Sequence, residues 1–307
     1  MPRDEIEGIL NLALRFEDVA RGVTLSNLLA GKVLCTLFYE PSTRTRLSFE
    51  SAMVRLGGQV LPVADAMRTS SAWKGESIAD TVRTIQNYAD VIAMRNPVAG
   101  SAAEAARYAQ IPILNAGDGA NEHPTQALLD LLTIKREAGR IDGSTIVLVG
   151  DHAHARPINS LLYALSNYQA KVILVSPKQL RAQQNVLEFA RARGLQAEET
   201  EDLRGALKQA DVVYIFRIQK ERFNDPAEYE AVKGTYQLTR RMLEETNRRL
   251  VILHPMPRVD ELPEDVDTLP GAAYFRQSFN GVLIRMALLS LVLGRVQLRA
   301  YLSSEHA

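Results

Sequence analysis

Apolar residues in this chain follow two patterns, and the two take turns. Short, largely apolar runs occupy residues 32–38, 60–63, 91–94 and 111–114, as buried parallel strands do. Between the runs, apolar positions recur at helical spacing. Ile6, Ile9, Leu10, Leu12, Ala13 and Phe16 give a broad face over residues 4–20. Phe49, Ala52, Met53 and Leu56 give another, entered at Ser42 and stopped at Gly57-Gly58. Ile78, Val82 and Ile85 follow Ser77-x-x-Asp80, which reads as a capping box. Residues 102–109 form a small-residue helix, and His123-Pro124-Thr125-Gln126 opens one bearing Leu128, Leu131 and Leu132. Residues 66–76 and 115–122 are polar loops. After a Gly-bearing polar stretch at 137–144 the alternation restarts, with strands at 145–149, 171–175, 212–216 and 250–253 and helices at 158–165, 179–193 and 203–209. The apolar pattern of a last helix covers 282–293.

This alternation predicts an α/β fold of two doubly wound parallel-sheet domains. The expected bounds are 1–137 and 138–281, with the C-terminal stretch, about 282–307, packing back on the first domain. A length of 307 residues agrees, since single cores rarely grow beyond ~250–300 residues. Charge narrows the partners. The chain has 36 Lys+Arg and 36 Asp+Glu, which argues against a general nucleic-acid binder or a binder of anionic membranes. The one cysteine, Cys35, falls inside an apolar run and reads as a small buried side chain. No leader pattern and no apolar segment of ~20 residues is visible, so the expectation is a cytoplasmic protein.

The candidate chemistry collects at one kind of place. Ser42–Arg46, Arg95, His123, Arg156, Arg217 and His254–Arg258 each follow an expected strand. Ligands of open parallel sheets bind beyond those strand ends. The pattern therefore predicts an active site in a cleft between the domains, rich in arginine, for a ligand with several negative charges. Ser42-Thr43-Arg44-Thr45-Arg46 is the sharpest segment. It places hydroxyls and guanidiniums where a helix start presents free N–H groups, a setting for phosphate. An ordinary first turn favours carboxylates instead. His123 fits either a plain cap or a neutral imidazole donor beside the helix start. Arg217-x-Gln219 extends from a strand with both side chains on one side. Lys74, in a Ser/Gly loop, is a weak signal alone. Asp151-His152-Ala153-His154 brings two histidines without a third ligand at a familiar spacing, so a metal is disfavoured. Neither GxGxxG nor GxxxxGK[ST] occurs at these turns, which counts against a dinucleotide cofactor and a nucleotide P-loop.

Taken in order, these segments resemble the transcarbamoylases over essentially the whole chain. Ser42-Thr43-Arg44-Thr45-Arg46-Leu47-Ser48-Phe49-Glu50 resembles the family's carbamoyl-phosphate signature. His123-Pro124-Thr125-Gln126, Arg217-x-Gln219-Lys220-Glu221-Arg222 and His254-Pro255-Met256-Pro257-Arg258 resemble the branch whose acceptor is aspartate. Ornithine-using members typically carry HPCQ and HCLP at two of these places. The resemblance implies transfer from carbamoyl phosphate to L-aspartate, in pyrimidine biosynthesis, with no cofactor and no metal. It implies that Ser42, Thr43, Arg44, Thr45 and Arg95 hold the phosphate. Thr45, Arg95 and His123 would polarise the carbonyl, and Gln126 would bind the carbamoyl amino group. Arg156 would take the α-carboxylate of aspartate, and Arg217 with Gln219 the β-carboxylate. Backbone carbonyls of Pro255 and Met256 would position the two nitrogens. Ser70 and Lys74 would reach the site from a neighbouring subunit of a homotrimer, Lys74 serving both phosphate and aspartate, and the trimer could join a larger assembly with regulatory chains or a dihydroorotase. The alternatives are another amine acceptor, such as ornithine, and a non-catalytic scaffold. Trp73 and the run His152–Ala155 depart from the family pattern, which puts the placement of Arg156 in question.

Overall fold

The computed structural model describes residues 1–66, 74–219, 223, 225–246 and 249–302. It divides into two compact units, Met1–Leu129 with Phe279–Ala307, and Asp130–Ser278.

The first unit is built on a parallel sheet of β1 (Val33–Phe38), β2 (Gln59–Ala64), β3 (Val91–Asn96) and β4 (Ile113–Asp118), in the order β2-β1-β3-β4. The central strand β1 is almost wholly buried, as its largely apolar run requires. Among the described residues, the helices of this unit are α1 (Arg3–Arg15), α2 (Glu17–Arg21), α3 (Thr43–Arg55), α4 (Ile78–Ile85), α5 (Ser101–Tyr108) and the start of α6 (Pro124–Ala138). Ser77 caps α4 as its sequence predicts, accepting from the Asp80 N–H at 3.0 Å. Cys35 is 2% exposed, and burial pushes its thiol up to about 12.

Three expectations need correction here. The helix expected over 4–20 breaks at Phe16, whose φ of −91° and ψ of 3° leave the helical range. Arg95 lies inside β3, paired with Phe38 of β1, rather than just after the strand. The strand expected at 111–114 is Ile113–Asp118 instead. Asn115 and Asp118 serve the ladder because their side chains find local partners, Asn115 Nδ2 donating to Asp118 Oδ1 at 3.0 Å.

The second unit has the parallel order β7-β6-β5-β8-β9, from β5 (Thr145–Gly150), β6 (Lys171–Val175), β7 (Gln196–Thr200), β8 (Val212–Phe216) and β9 (Val251–Leu253). Its described helices include α7 (Arg156–Leu165), α8 (Gln184–Ala192), α9 (Leu203–Leu207), α10 (Pro226–Val232) and α11 (Arg240–Glu244). The expected strands 171–175 and 212–216 appear with those bounds. The helix expected over 179–193 is a short 3-10 turn at Lys178–Leu180 followed by α8. The edge strand β7, with the polar sequence QAEET, has no apolar run to announce it. The last long helix, α12, begins at Tyr274 and runs to Val292. No helix among the described residues is long and apolar enough to cross a membrane.

Candidate active site

In the first unit the polar clusters come together at the carboxyl ends of β1, β3 and β4. Ser42 stands at the N-cap of α3, but its hydroxyl does not cap the helix. It accepts instead from Arg95 Nη1 at 3.1 Å. Arg95 is further oriented by Glu40, whose Oε2 accepts from Nε at 3.3 Å. Two strand ends are thus joined through one guanidinium, and the first-turn N–H groups of α3 keep their anion-binding character. No acidic residue occupies that first turn. Arg44 is exposed; desolvation lowers its pKa, but the side chain remains a cation open to solvent. Thr43 is also exposed, whereas Thr45 is buried. Thr45 Oγ1 shares a hydrogen bond of 3.4 Å with His123 Nε2. His123 is 3% exposed and immediately precedes α6, with Gln126 in the first turn. The turn before His123 is held by Asp118. Its carboxylate accepts from the backbone N–H groups of Gly100 (2.8 Å) and Glu122 (3.1 Å) and from Asn121 Nδ2 (3.0 Å).

Arg46 is engaged differently. Its Nε lies 3.8 Å from Glu50 Oε1, and Glu50 also accepts from Thr36 Oγ1 at 2.9 Å. That gives Arg46 a place in the fold of α3 rather than toward a ligand.

Beneath both helix starts lies Arg285 of α12, 2% exposed. Its Nη2 donates to Thr125 Oγ1 at 3.2 Å, its Nη1 donates to the Gly281 carbonyl at 3.0 Å, and its guanidinium stands 4.9 Å from the Phe49 ring centroid. Phe49 belongs to α3 and Thr125 to α6, so one buried cation braces the two helices that carry Thr45 and His123. Gly281 makes the space: a Cβ there would stand 2.6 Å from Arg285 Nη1.

In the second unit the clusters gather at the ends of β5, β8 and β9. Gly150 closes β5 with φ +115°, and a Cβ there would meet the Phe216 carbonyl at 2.2 Å. Only glycine lets the chain turn this close to β8. The next residue, Asp151, is wholly buried. Its Oδ1 accepts from the His154 N–H and from His154 Nδ1, both at 3.0 Å, and its Oδ2 accepts from the Gln219 N–H at 3.3 Å. The loop after β5 is therefore tied to the loop after β8, where Arg217 and Gln219 are partly buried. Arg156 is not in the loop. It is the first residue of α7, with Ala155 at the N-cap and Pro157 next. His152 is enclosed, and burial holds its pKa down at about 3, so it stays neutral.

After β9, His254 organises the Pro255–Met256 turn. His254 Nδ1 accepts from the Met256 N–H at 2.8 Å, and Nε2 donates to Glu261 Oε1 at 2.7 Å. Burial, the largest single influence, raises the Glu261 pKa, but His254 and the backbone donors together outweigh it and the net shift is downward. Arg258, grouped with this turn by sequence, is committed to Asp267 Oδ2 at 2.8 Å and to Tyr274. Lys74 is exposed, while Ser70, Trp73 and Lys220 lie outside the described residues. Asp118, Asp151 and Arg285 are residues that sequence reasoning missed. Each is a single polar residue whose partners are distant or in a loop, and no periodicity marks it.

Residues 1–136 match the family profile described as aspartate/ornithine carbamoyltransferase, carbamoyl-P binding domain, and residues 142–292 match its Asp/Orn binding domain. The aspartate carbamoyltransferase catalytic subunit of Thermococcus gammatolerans is 51% identical over 95% of this chain and 94% of its own. The solved catalytic subunit of Methanocaldococcus jannaschii aspartate transcarbamoylase is similar with a TM-score of 0.88 and 49% identity, covering 96% of this chain and 95% of that one. The Trypanosoma cruzi aspartate transcarbamoylase, solved with carbamoyl phosphate and aspartate, is similar with a TM-score of 0.89 and 41% identity, covering 94% of this chain and 93% of its own.

Proposed function

The chain belongs to the aspartate/ornithine carbamoyltransferase family, and from that premise we propose that it transfers the carbamoyl group of carbamoyl phosphate to the α-amino group of L-aspartate. The products are N-carbamoyl-L-aspartate and phosphate, the committed step of pyrimidine biosynthesis. The reading is carried by the brace that joins Arg95 to Ser42 at the start of a helix whose first turn lacks acidic residues. Such an arrangement favours a dianion with a carbonyl beside it.

The proposed roles follow the charges. Ser42, Thr43, Arg44 and Thr45 take the phosphate, and Arg95 spans phosphate and carbonyl oxygen. Thr45, Arg95 and His123 donate to the carbonyl oxygen as it becomes an oxyanion, and Gln126 takes the carbamoyl amino group. Arg156 takes the α-carboxylate and Arg217 with Gln219 the β-carboxylate. The Pro255 and Met256 carbonyls face the carbamoyl nitrogen and the incoming amine. Ser70 and Lys74 complete the phosphate side from a neighbouring subunit of a cytoplasmic homotrimer.

In the reaction the deprotonated amine of aspartate attacks the carbamoyl carbon. A tetrahedral intermediate forms, the C–O bond to phosphate breaks, and the departing phosphate can accept the amine's proton. The leaving group is already activated, so catalysis rests on positioning and electrostatics. Alignment of two substrates supplies up to ~7–11 kcal/mol in favourable systems, and one oxyanion donor ~3–4 kcal/mol. An acceptor with a cationic side chain is disfavoured at the β5 end, because Asp151 is fully enclosed and already holds His154 and Gln219. An ornithine ammonium needs an available carboxylate. Turnover with aspartate, ornithine and putrescine tests the reading: carbamoylaspartate is the expected product, and a preference for either diamine overturns the acceptor assignment.

A further inference from the structure

Asp130 lies on α6, about two turns beyond His123. Its side chain is 0% exposed. A buried carboxylate is costly unless its oxygens are matched, and both are. Oδ2 accepts from Tyr214 Oη at 3.1 Å, and Oδ1 accepts from Gln277 Nε2 at 2.7 Å. Gln277, 1% exposed on α12, has thereby no choice of orientation: its nitrogen faces Asp130, and its oxygen accepts from the His254 N–H at 3.0 Å. His254 then holds the Met256 N–H on Nδ1, at 2.8 Å. Met256 needs such a hold, because its φ of +58° is a left-handed conformation that costs roughly 1–2 kcal/mol for a residue with a side chain. Asp130 thus sets Gln277, Gln277 anchors the His254 backbone, and the imidazole of the same residue, turned by Glu261 on its Nε2 at 2.7 Å, holds Met256.

We propose that Asp130 is a positioning residue for the transfer reaction. Acting through Gln277 and His254, it presets the Pro255 and Met256 carbonyls that receive the carbamoyl nitrogen and the attacking amine. The inference rests on the carbamoyl-transfer reading above. It gives a task to a carboxylate that touches neither substrate. It also explains a buried glutamine in the first turn of α12.

The test exchanges the two partners in the full-length protein. Gln277→Glu sets a carboxylate against Asp130 and removes the donor. Asp130→Asn with Gln277→Glu restores one donor facing one acceptor: the Asn nitrogen donates to the new carboxylate, whose other oxygen still accepts from His254, and the Asn oxygen still accepts from Tyr214. Gln277→Glu is expected to lower kcat at saturating substrates by about 10²-fold. Binding of inorganic phosphate, which uses Ser42–Thr45 and Arg95, should stay within about twofold of wild type. The double variant should regain kcat to within about tenfold of wild type. A kcat for Gln277→Glu within about twofold of wild type overturns the role, as does a double variant with the wild-type melting temperature but without recovered kcat. If Gln277→Glu does not fold, the double variant compared with wild type decides in the same way. Wild-type turnover of aspartate is read in the same assay. Its absence refutes the transferase reading and this role with it, whereas a normal wild type beside an unaffected Gln277→Glu refutes only the role of Asp130.

Discussion

The two units solve the same problem with different parts. In the first, the proposed ligand groups are side chains that brace one another directly, Arg95 on Ser42 and Thr45 on His123, above a buried contact of Arg285 with Thr125. In the second, buried side chains grip backbone: Asp151 takes the Gln219 N–H, His254 the Met256 N–H, and Gln277 the His254 N–H. On the proposed reading, the phosphate half is a cluster of donors that needs alignment, and the acceptor half a set of loops whose peptide groups need direction. Loss of a first-unit donor should therefore strike the chemical step, and so should loss of the Gln277 grip on His254, whereas loss of the Asp151 grip should strike acceptor binding.

The largest effect expected on this contrast is at Arg44. Arg44→Ala should lower kcat by about 10²–10³-fold and leave the melting temperature unchanged, since the residue is exposed; steady-state kinetics with a thermal melt checks both. Asp151→Asn should do the opposite. It loses one acceptor for the His154 and Gln219 N–H groups, and a hydrogen bond to a charged group is worth ~1.5–3 kcal/mol. The KM for aspartate should rise by about 10- to 100-fold with a smaller change in kcat. An equal fall in kcat would erase the distinction between the units.

A weaker perturbation sharpens the first half. Gly281→Ala puts a methyl 2.6 Å from Arg285 Nη1, and overpacking of this kind costs ~1–3 kcal/mol. A denaturant titration should find that loss, with reduced turnover, because the displaced guanidinium no longer braces α3 and α6.

How much of this was open to a reader of the sequence depended on the kind of signal. The buried strands 171–175 and 212–216 stand out because all their positions but Lys171 are apolar. The edge strand Gln196–Thr200 does not, because only one side of it meets the core and its residues are polar. Ser42–Thr45, His123, Arg217 and Gln219 were legible because unusual residue types crowd a strand end. Asp130, Asp151, Gln277 and Arg285 were not. Each looks like any polar residue on a helix or loop until the fold brings its partner from as far as 160 positions away, as with Arg285 and Thr125.

An effect of similar size is expected from pH. His152 is neutral when folded, with its pKa lowered to about 3 by burial, and takes up a proton near 6.5 once unfolded. The unfolded state therefore binds more protons between those values. This group's stabilisation is complete above about 6.5 and is lost as pH falls, at up to about 1.4 kcal/mol per pH unit. His152→Leu should flatten the stability–pH curve between pH 4 and 6 in the same denaturant titration.

The central proposal is that the Ser42–Arg95 groups and the Arg217–Gln219 groups serve a single reaction. A mimic carrying a phosphonate joined to an aspartate dicarboxylate tests it most directly, by calorimetry on wild type, Arg44→Ala and Arg217→Ala. Each substitution removes charge-assisted hydrogen bonds worth ~1.5–3 kcal/mol apiece, so each should weaken the mimic by about 10²-fold or more. Binding to Arg217→Ala within about twofold of wild type would contradict the claim, because the mimic would then be held by the phosphate side alone.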